Sequence, residues 1–183
     1  VPLMEDSPCE AIKNNVIGTY KTALAASDAG VKRFVLISTD KAVNPTNIMG
    51  ASKRIMEDLV MAYNTHFKVT TARFANVAFS NGSLPDGWIH RLQKKQPLAA
   101  PSDVKRYFVS PEESGQICML ACILGNGGEV FFPKLGEDQM LTFSSICDDF
   151  VKAEGFKKVE CDNDAAAKHY AAEMDYESGS YPV

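Results

Sequence analysis

The apolar positions of the chain switch between helical spacing and short uninterrupted runs. Ser7-Pro8-Cys9-Glu10 has the pattern of a capping box with proline at the first helical position, and it predicts a helix that ends at Gly30. The run at residues 34–38 has no polar alternation, as in a parallel strand that is covered on both faces. A second, amphipathic helix is predicted to begin near residues 46–48, and a second strand at residues 69–77. Helix, strand, helix and strand in this order predict a doubly wound α/β sheet.

The pattern changes after Asn76. Residues 80–87 are rich in turn-forming residues, so we expect one part at residues 1–79 and a second, α+β part at residues 80–183. Ser110-Pro111-Glu112-Glu113 is a second capping box. In the second part the sequence predicts helices at residues 88–95, 111–124, 143–153 and 165–174, strands at 107–109 and 129–132, and a loop or tail at 177–183.

Composition and charge argue against several classes of function. The 183 residues include 19 Lys and Arg against 23 Asp and Glu, a formal net charge of −4, so no basic excess favours nucleic-acid binding. No stretch approaches the ~18–20 apolar residues of a membrane span. The five cysteines form no C-x-x-C pair, which favours a reducing, cytosolic compartment. The three histidines are scattered, and no metal site is predicted.

Chemically versatile side chains follow the first predicted strand. Ser38-Thr39-Asp40-Lys41 stands at its carboxyl end, where open α/β sheets bind ligands. A hydroxyl, a carboxylate and an ammonium in succession can combine hydrogen bonding with proton donation and abstraction. Met49 and Lys53 are spaced i, i+4 and share a face of the following helix. The alternative is a solvated Asp40–Lys41 loop pair with Lys53 as an ordinary exposed residue.

A set of motifs occurs in the order found in one enzyme superfamily. The chain resembles the extended short-chain dehydrogenase/reductases, and more narrowly the CapD-like branch of polysaccharide biosynthesis, which contains UDP-N-acetylglucosamine 4,6-dehydratases. The resemblance is firm over residues 1–133 and looser beyond. The motifs that carry it are Asn15-x-x-Gly18-Thr19, residues 34–42 with Pro45, Met49-Gly50-x-Ser52-Lys53, Arg73-Phe74-x-Asn76-Val77 and Arg106-Tyr107-Phe108.

This resemblance implies a fold and a reaction. Residues 1–79 would be the second part of an NAD-binding Rossmann-like domain, and residues 80–183 mainly a substrate-binding subdomain for a UDP-sugar. In this branch NAD takes a hydride from C4 of the sugar and returns it to C6, while water is eliminated across C5 and C6. Cytoplasmic localisation and a homo-oligomeric full-length protein are expected.

Roles for individual residues follow from the same resemblance. Asp40 would be the acid at the departing 6-hydroxyl, and Lys41 the base at C5, which requires a pKa lowered by burial or a neighbouring cation. Thr39 would form a hydrogen bond with the 4-hydroxyl, and Lys53 would bind the nicotinamide ribose. Ser38 and Thr39 would also bind the cofactor.

One catalytic position departs from the superfamily pattern. Most members have tyrosine four residues before this lysine as the base that oxidises C4, whereas Met49 occupies the position here and a thioether cannot accept the proton. The CapD-like branch includes members with this methionine. We hypothesise that Asp40, Lys41 or a water held by Thr39 is the base instead.

Substrate contacts are expected in the second part. Asn76 would contact the sugar nucleotide. Ser83, in the loop before a helix, would help to hold the diphosphate at helix amides. Arg106 is the best candidate for a diphosphate clamp, because guanidinium pairs with phosphate oxygens in a bidentate fashion.

The glycine-rich turn of a dinucleotide fold is missing, since Gly125-Asn126-Gly127-Gly128 follows a predicted helix and not a strand. The sequence is therefore expected to be a piece of a larger enzyme and inactive by itself. A membrane anchor outside this sequence, as in some relatives, is left open. Two other functions remain alternatives. A nucleotide-sugar 4-epimerase of the same fold would have no use for a C5 base and a C6 acid, and a catalytically silent nucleotide-sugar-binding domain would fit Met49 and the missing turn.

Overall fold

The computed structural model describes residues 2–183, which divide into two units. The first unit contains the chain up to Ala75 together with Ser110–Lys134, and the second contains Asn76–Val109 with Leu135–Val183. The helices are α1 Pro2–Asp6, α2 Pro8–Ala11, α3 Gly18–Asp28, α4 Ile48–Met61, α5 Leu84–Gln93, α6 Pro111–Leu124, α7 Phe143–Ala153 and α8 Asp164–Glu173. The strands are β1 Arg33–Thr39, β2 Lys68–Phe74, β3 Asn76–Val77, β4 Lys105–Arg106, β5 Phe108–Val109, β6 Glu129–Phe131, β7 Leu141–Thr142, β8 Lys157–Val159 and β9 Ser180–Pro182.

A parallel sheet in the order β1-β2-β6 is the centre of the first unit. Its core contains Leu36 of β1, Val69 of β2, and Met56 and Val60 of α4. Apolar residues that recur one turn apart on α4 bury one face of this helix, as the amphipathic pattern predicts. Strand β1 runs in register with β2 from Arg33 opposite Lys68 to Thr39 opposite Phe74, so both strands end at the same edge.

The first helices of the chain are capped differently from the prediction. Ser7 makes no side-chain cap hydrogen bond, so the predicted capping box does not form. The Glu10 amide instead donates to the Ser7 carbonyl at 3.1 Å, and the Ser7 amide to that of Leu3 at 3.1 Å. Backbone carbonyls thus satisfy the donors that a side chain would cap. Between α2 and α3 the helix widens into a π-helical segment, Ile12–Ile17.

The second unit is built from α5, α7 and α8 with three two-stranded pairings, β3 with β5, β4 with β7, and β8 with β9. Its core gathers around Trp88, Phe150 and Tyr181. The prediction of a loop or tail at residues 177–183 is wrong: β9 pairs in parallel with β8, and Tyr181 is 1% exposed. The run is too short to show a period, and its partner strand is about twenty residues away, so local pattern gave no signal.

The expected boundary at residue 80 places residues 110–134 in the second part, whereas the structure packs this segment with the first. The capping box of Ser110 forms as predicted and opens α6. From α6 the chain returns to the first sheet, where β6 pairs with β2. Thr70 of β2 fixes α6 by donating its hydroxyl to the Ala121 carbonyl at 3.0 Å.

Candidate membrane helices and metal clusters are absent from residues 2–183. None of the helices described there is long and apolar enough to cross a membrane. Within the same residues, no group of three or more His, Cys, Asp or Glu side chains could hold a metal ion, and the five cysteines are unpaired.

Candidate active site

The carboxyl end of β1 turns directly into the 3-10 helix Asp40–Ala42. Thr39 caps this turn: its hydroxyl oxygen accepts from the Lys41 amide at 3.4 Å and donates to Asp40 Oδ1 at 2.9 Å. The hydroxyl therefore fixes both the backbone of the turn and the direction of the carboxylate. The three residues that the sequence singles out form one hydrogen-bonded group.

Asp40 and Lys41 form an ion pair within this group. Lys41 Nζ lies 3.4 Å from Asp40 Oδ1, and the two side chains are 35% and 49% exposed, respectively. The pair is thus accessible to a ligand. The charged group beside Lys41 is the Asp40 carboxylate, and not the neighbouring cation that was expected as one way to favour a neutral amine.

Helix α4 begins against this turn. Asn47 caps the helix by accepting from the Gly50 amide at 2.8 Å. Gly50 is buried, and a Cβ at this position would lie 2.5 Å from the Lys41 carbonyl oxygen. The absence of a side chain at Gly50 therefore allows α4 to approach the backbone of the 3-10 turn. This close contact brings the first turn of α4, which carries Met49, against the 3-10 turn, and Lys53 follows one helical turn later.

Lys53 is half-buried and makes no hydrogen bond or ion pair with residues 2–183. Burial lowers the pKa of Lys53, and the carboxylate of Glu57 acts in the opposite sense. An ammonium group with three unused donors suits the hydroxyls of a ribose. Met49 is half-buried on the preceding turn, and its carbonyl accepts from the Ser52 hydroxyl at 2.9 Å.

A buried ion pair beneath this site was missed by the sequence analysis. Glu57 of α4, 4% exposed, accepts two hydrogen bonds from Arg73 of β2, at 2.9 Å from Nε and 2.5 Å from Nη2. Burial alone would raise the pKa of Glu57, but the hydrogen bonds and positive charge of Arg73 bring it below its ordinary value. No local pattern in the sequence signals this pair, because Glu57 and Arg73 lie sixteen residues apart on different elements.

Ser38, the third residue predicted at the cofactor, is buried on β1 opposite Arg73 of β2. Its hydroxyl lies near enough to Glu57 to help lower the pKa of that carboxyl. The Ser38 hydroxyl nevertheless forms no hydrogen bond of good geometry with any group in residues 2–183. A buried hydroxyl without a partner is uncommon, and here it lies one residue before the Thr39 group.

The three predicted substrate-binding residues lie in the second unit on different elements. Asn76 donates from its amide to the Tyr107 carbonyl at 3.0 Å. Ser83 caps α5 by accepting from the Asp86 amide at 3.2 Å. Arg106 is exposed on β4 and donates to the Lys105 carbonyl at 2.8 Å, which leaves most of its guanidinium donors available.

A cavity of about 540 Å³ in the second unit contains none of these three residues. Its lining includes Arg91, Lys158 and Asn163 together with the extended segment 97–102. Lys158 forms ion pairs with Asp148 at 2.7 Å and Glu160 at 2.9 Å. Sequence analysis missed the cavity, because its lining comes from stretches that are distant along the chain.

Residues 1–169 match the family described as polysaccharide biosynthesis protein. The capsular polysaccharide biosynthesis protein CapD of Staphylococcus aureus is 40% identical over 141 residues, which cover 75% of this chain and 24% of CapD. A UDP-N-acetylglucosamine 4,6-dehydratase (inverting) of Campylobacter jejuni is 34% identical over 145 residues, 74% of this chain and 42% of that protein. A UDP-glucose 4-epimerase of Rickettsia rickettsii is 35% identical over 141 residues, 73% of this chain and 41% of the epimerase. The chain thus spans less than half the length of these relatives.

The fold is shared with a solved enzyme of nucleotide-sugar chemistry. The crystal structure of DesIV, a dTDP-glucose 4,6-dehydratase of Streptomyces venezuelae with NAD and TYD bound, matches all of this chain and 57% of its own, with a TM-score of 0.72 and 19% identity. The predicted α/β class with a Rossmann-like parallel sheet is confirmed, as is the resemblance to the CapD-like branch. The chain belongs to the polysaccharide biosynthesis protein family, a family of nucleotide-sugar dehydratases and epimerases.

Proposed function

We propose that this chain carries the acid–base site of a UDP-N-acetylglucosamine 4,6-dehydratase that uses NAD. The observation that carries the proposal is the Thr39–Asp40–Lys41 group, in which a carboxyl and an amine lie 3.4 Å apart at the carboxyl end of a parallel strand. A 4,6-elimination needs one acid for the departing hydroxyl and one base for the adjacent carbon acid.

The residues of the first unit fit the nicotinamide half of the cofactor. Lys53 has unused donors, and the buried Ser38 hydroxyl has no partner of full geometry among residues 2–183. These two groups, with Thr39, would hold the nicotinamide ribose. NAD, when bound, supplies reversible hydride transfer, which makes a ketone at C4 and later reduces C6. The protein's part is to orient the sugar and move protons.

The Asp40–Lys41 pair suits the elimination by its proton balance. A ketone at C4 acidifies the C5 hydrogen, so that Lys41, as a neutral amine, can take this proton while Asp40, as a carboxylic acid, gives its own to the 6-hydroxyl. The C5–H and C6–O bonds break, a C5–C6 double bond forms, and water departs. This step leaves the carboxylate and ammonium that the structure pairs at 3.4 Å.

The remaining protons also balance. Lys41 returns its proton to C5 when C6 is reduced. Oxidation at C4 comes first, and the proton released from the 4-hydroxyl then gives Asp40 the acid form that the elimination uses. With Met49 in place of a tyrosine, we assign the first acceptance of that proton to Asp40, Lys41 or a water held by Thr39.

We assign the UDP part of the substrate to the second unit. Asn76 and Ser83 are proposed to contact the sugar nucleotide, and Arg106 to pair with the diphosphate. Cytoplasmic localisation and a homo-oligomeric full-length protein remain predictions.

A 4-epimerase is the second candidate, because a relative named UDP-glucose 4-epimerase is 35% identical. Epimerisation needs only the oxidation and reduction at C4, so it would leave the Asp40–Lys41 pair without a task at C5 and C6.

Product identification separates the two activities. The full-length protein that contains this chain is incubated with NAD and UDP-N-acetylglucosamine, and the product is analysed by NMR. A 4-keto-6-deoxy sugar is expected. A C4 epimer with its 6-hydroxyl intact would establish the epimerase and overturn the proposal.

A further inference from the structure

The Glu57–Arg73 ion pair joins the two elements that meet beneath the candidate site. Glu57 is on the third turn of α4, and Arg73 is the penultimate residue of β2. Both oxygens of Glu57 accept hydrogen bonds from Arg73, and the side chains are only 5% and 17% exposed. Such a planar, two-bond pairing fixes direction as well as distance.

Lys53 lies one helical turn before Glu57, on the same face of α4. Since Arg73 holds the Glu57 carboxylate in one orientation, the negative charge near Lys53 has a fixed position. Lys53 itself forms no direct ion pair with residues 2–183. The carboxylate therefore acts on the ammonium through space, and the donors of Lys53 stay available for a ligand.

We propose that Glu57 is a positioning residue whose carboxylate, oriented by Arg73, holds Lys53 in its charged form at the cofactor. The inference rests on the proposed function only for the identity of the ligand that Lys53 binds. It concerns electrostatics within the first unit, and its test needs neither substrate nor cofactor.

The charged and polar groups around this pair come from three elements. On α4 they are Lys53, Arg54 and Asp58, with Arg54 and Asp58 paired at 3.3 Å on the exposed side. Arg73 is the charged group from β2, and β1 contributes the neutral Ser38 hydroxyl. Among these groups, Glu57 is the one whose charge acts on the pKa of Lys53, where it opposes the effect of burial.

The direction in which the pKa of Lys53 shifts distinguishes an electrostatic role of Glu57 from a purely structural one. Burial lowers the pKa of Lys53, so a loosened site, in which Lys53 gains water, would raise it. Removal of the Glu57 charge from an intact site would lower it further. The two explanations thus predict opposite shifts for the same substitution.

The test is an NMR titration of Lys53 in the 183-residue chain with ¹³C-labelled lysine, in which a Lys53→Arg spectrum assigns the resonance. Glu57→Gln is the principal variant. Arg73→Gln is the matched control, because it breaks the same ion pair and keeps the carboxylate. The double variant Glu57→Gln/Arg73→Gln leaves no unpaired charge buried, and it is measured in case Glu57→Gln does not fold.

We expect the pKa of Lys53 to fall in both variants that lack Glu57 and not to fall in Arg73→Gln. An unchanged or higher pKa in Glu57→Gln, or in the double variant where the single one is unfolded, would overturn the inference. An equal shift in Glu57→Gln and Arg73→Gln would also overturn it, because the ion pair would then act only as a structural link. A failure to form the 4-keto-6-deoxy product would contradict the proposed function and leave this titration unaffected.

Discussion

At the scale of single residues, the proposed chemistry depends on one carboxyl and one amine that a threonine-capped turn holds 3.4 Å apart. We predict that Asp40→Asn and Lys41→Met each lower kcat of the full-length enzyme by about 10²–10⁴-fold, the usual contribution of a general acid or base. Steady-state assays of product formation measure this. Lys21→Met, at an exposed position of α3, is the control. Wild-type turnover in either site variant would remove that residue from the mechanism.

Gly50 gives a second prediction at this scale. A Cβ there would lie 2.5 Å from the Lys41 carbonyl oxygen, so Gly50→Ala should force α4 and the 3-10 turn apart and destabilise the chain by about 1–3 kcal/mol. Gly115→Ala is the matched control, because a Cβ at this helical glycine meets nothing within 4 Å and should stabilise by about 0.5–1 kcal/mol. Urea unfolding compares the two. Equal effects would mean that the close approach at Gly50 is unimportant.

The positions of the candidate site residues on their elements were predictable from the sequence where these residues are close along the chain. Thr39, Asp40 and Lys41 are consecutive, and Lys53 follows Met49 at helical spacing, so strand and helix patterns were enough to place the first three at the end of β1 and the other two on one face of α4. Glu57 was not predicted, since a glutamate on an amphipathic helix ordinarily belongs to the solvated face. Its burial depends on Arg73, sixteen residues away on β2.

At the scale of elements, the ion pair between α4 and β2 is expected to matter for stability. Removing one partner of a buried pair costs about 3–5 kcal/mol, whereas removing both costs much less. We therefore predict that Glu57→Gln is strongly destabilising and that Glu57→Gln/Arg73→Gln recovers most of the loss. Denaturant unfolding at neutral pH measures both. A double variant that is less stable than Glu57→Gln would contradict this account.

The same pair gives a pH dependence of definite sign. The pKa of Glu57 is lower in the folded chain than its ordinary value of 4.5, so the stabilisation is complete above that value and disappears as the pH falls below it. Unfolding measured between pH 6 and pH 3 should show a loss that is absent from the double variant. An identical acid loss in both proteins would assign it to other carboxyl groups.

Strand β9 is the element whose existence the sequence did not reveal. Tyr181 is 1% exposed, stacks edge-on against Phe156 and donates to the Gln96 carbonyl at 2.9 Å. Tyr181→Ala should destabilise the second unit by about 3–5 kcal/mol, the usual cost of deleting a buried aromatic side chain. Tyr170→Ala, at an exposed position of α8, is the control and should cost far less. Thermal unfolding that fails to separate the two variants would show that β9 is not integral to this unit.

At the scale of the whole molecule, the order of helices and strands predicted the α/β class, but it did not predict the two units correctly. Residues 110–134 pack with the first unit because β6 forms a parallel pairing with β2. The two strands are far apart in sequence, so no local pattern predicts that they pair. The capping box at Ser110 predicted where α6 begins. It did not predict that α6 packs with the first unit. Local signals thus gave most of the elements, while assembly depended on pairings between distant segments.

The central claim is that Lys41 and Asp40 carry out an elimination across C5 and C6. The most direct measurement is the reaction of the full-length protein with NAD and UDP-N-acetylglucosamine in heavy water, with the product analysed by NMR and mass spectrometry. Because Lys41 exchanges its proton with solvent before C5 is reprotonated, the account predicts a 4-keto-6-deoxy sugar with deuterium at C5. A 4-keto-6-deoxy sugar that retains the original C5 hydrogen, or a C4 epimer without deuterium at C5, would contradict it.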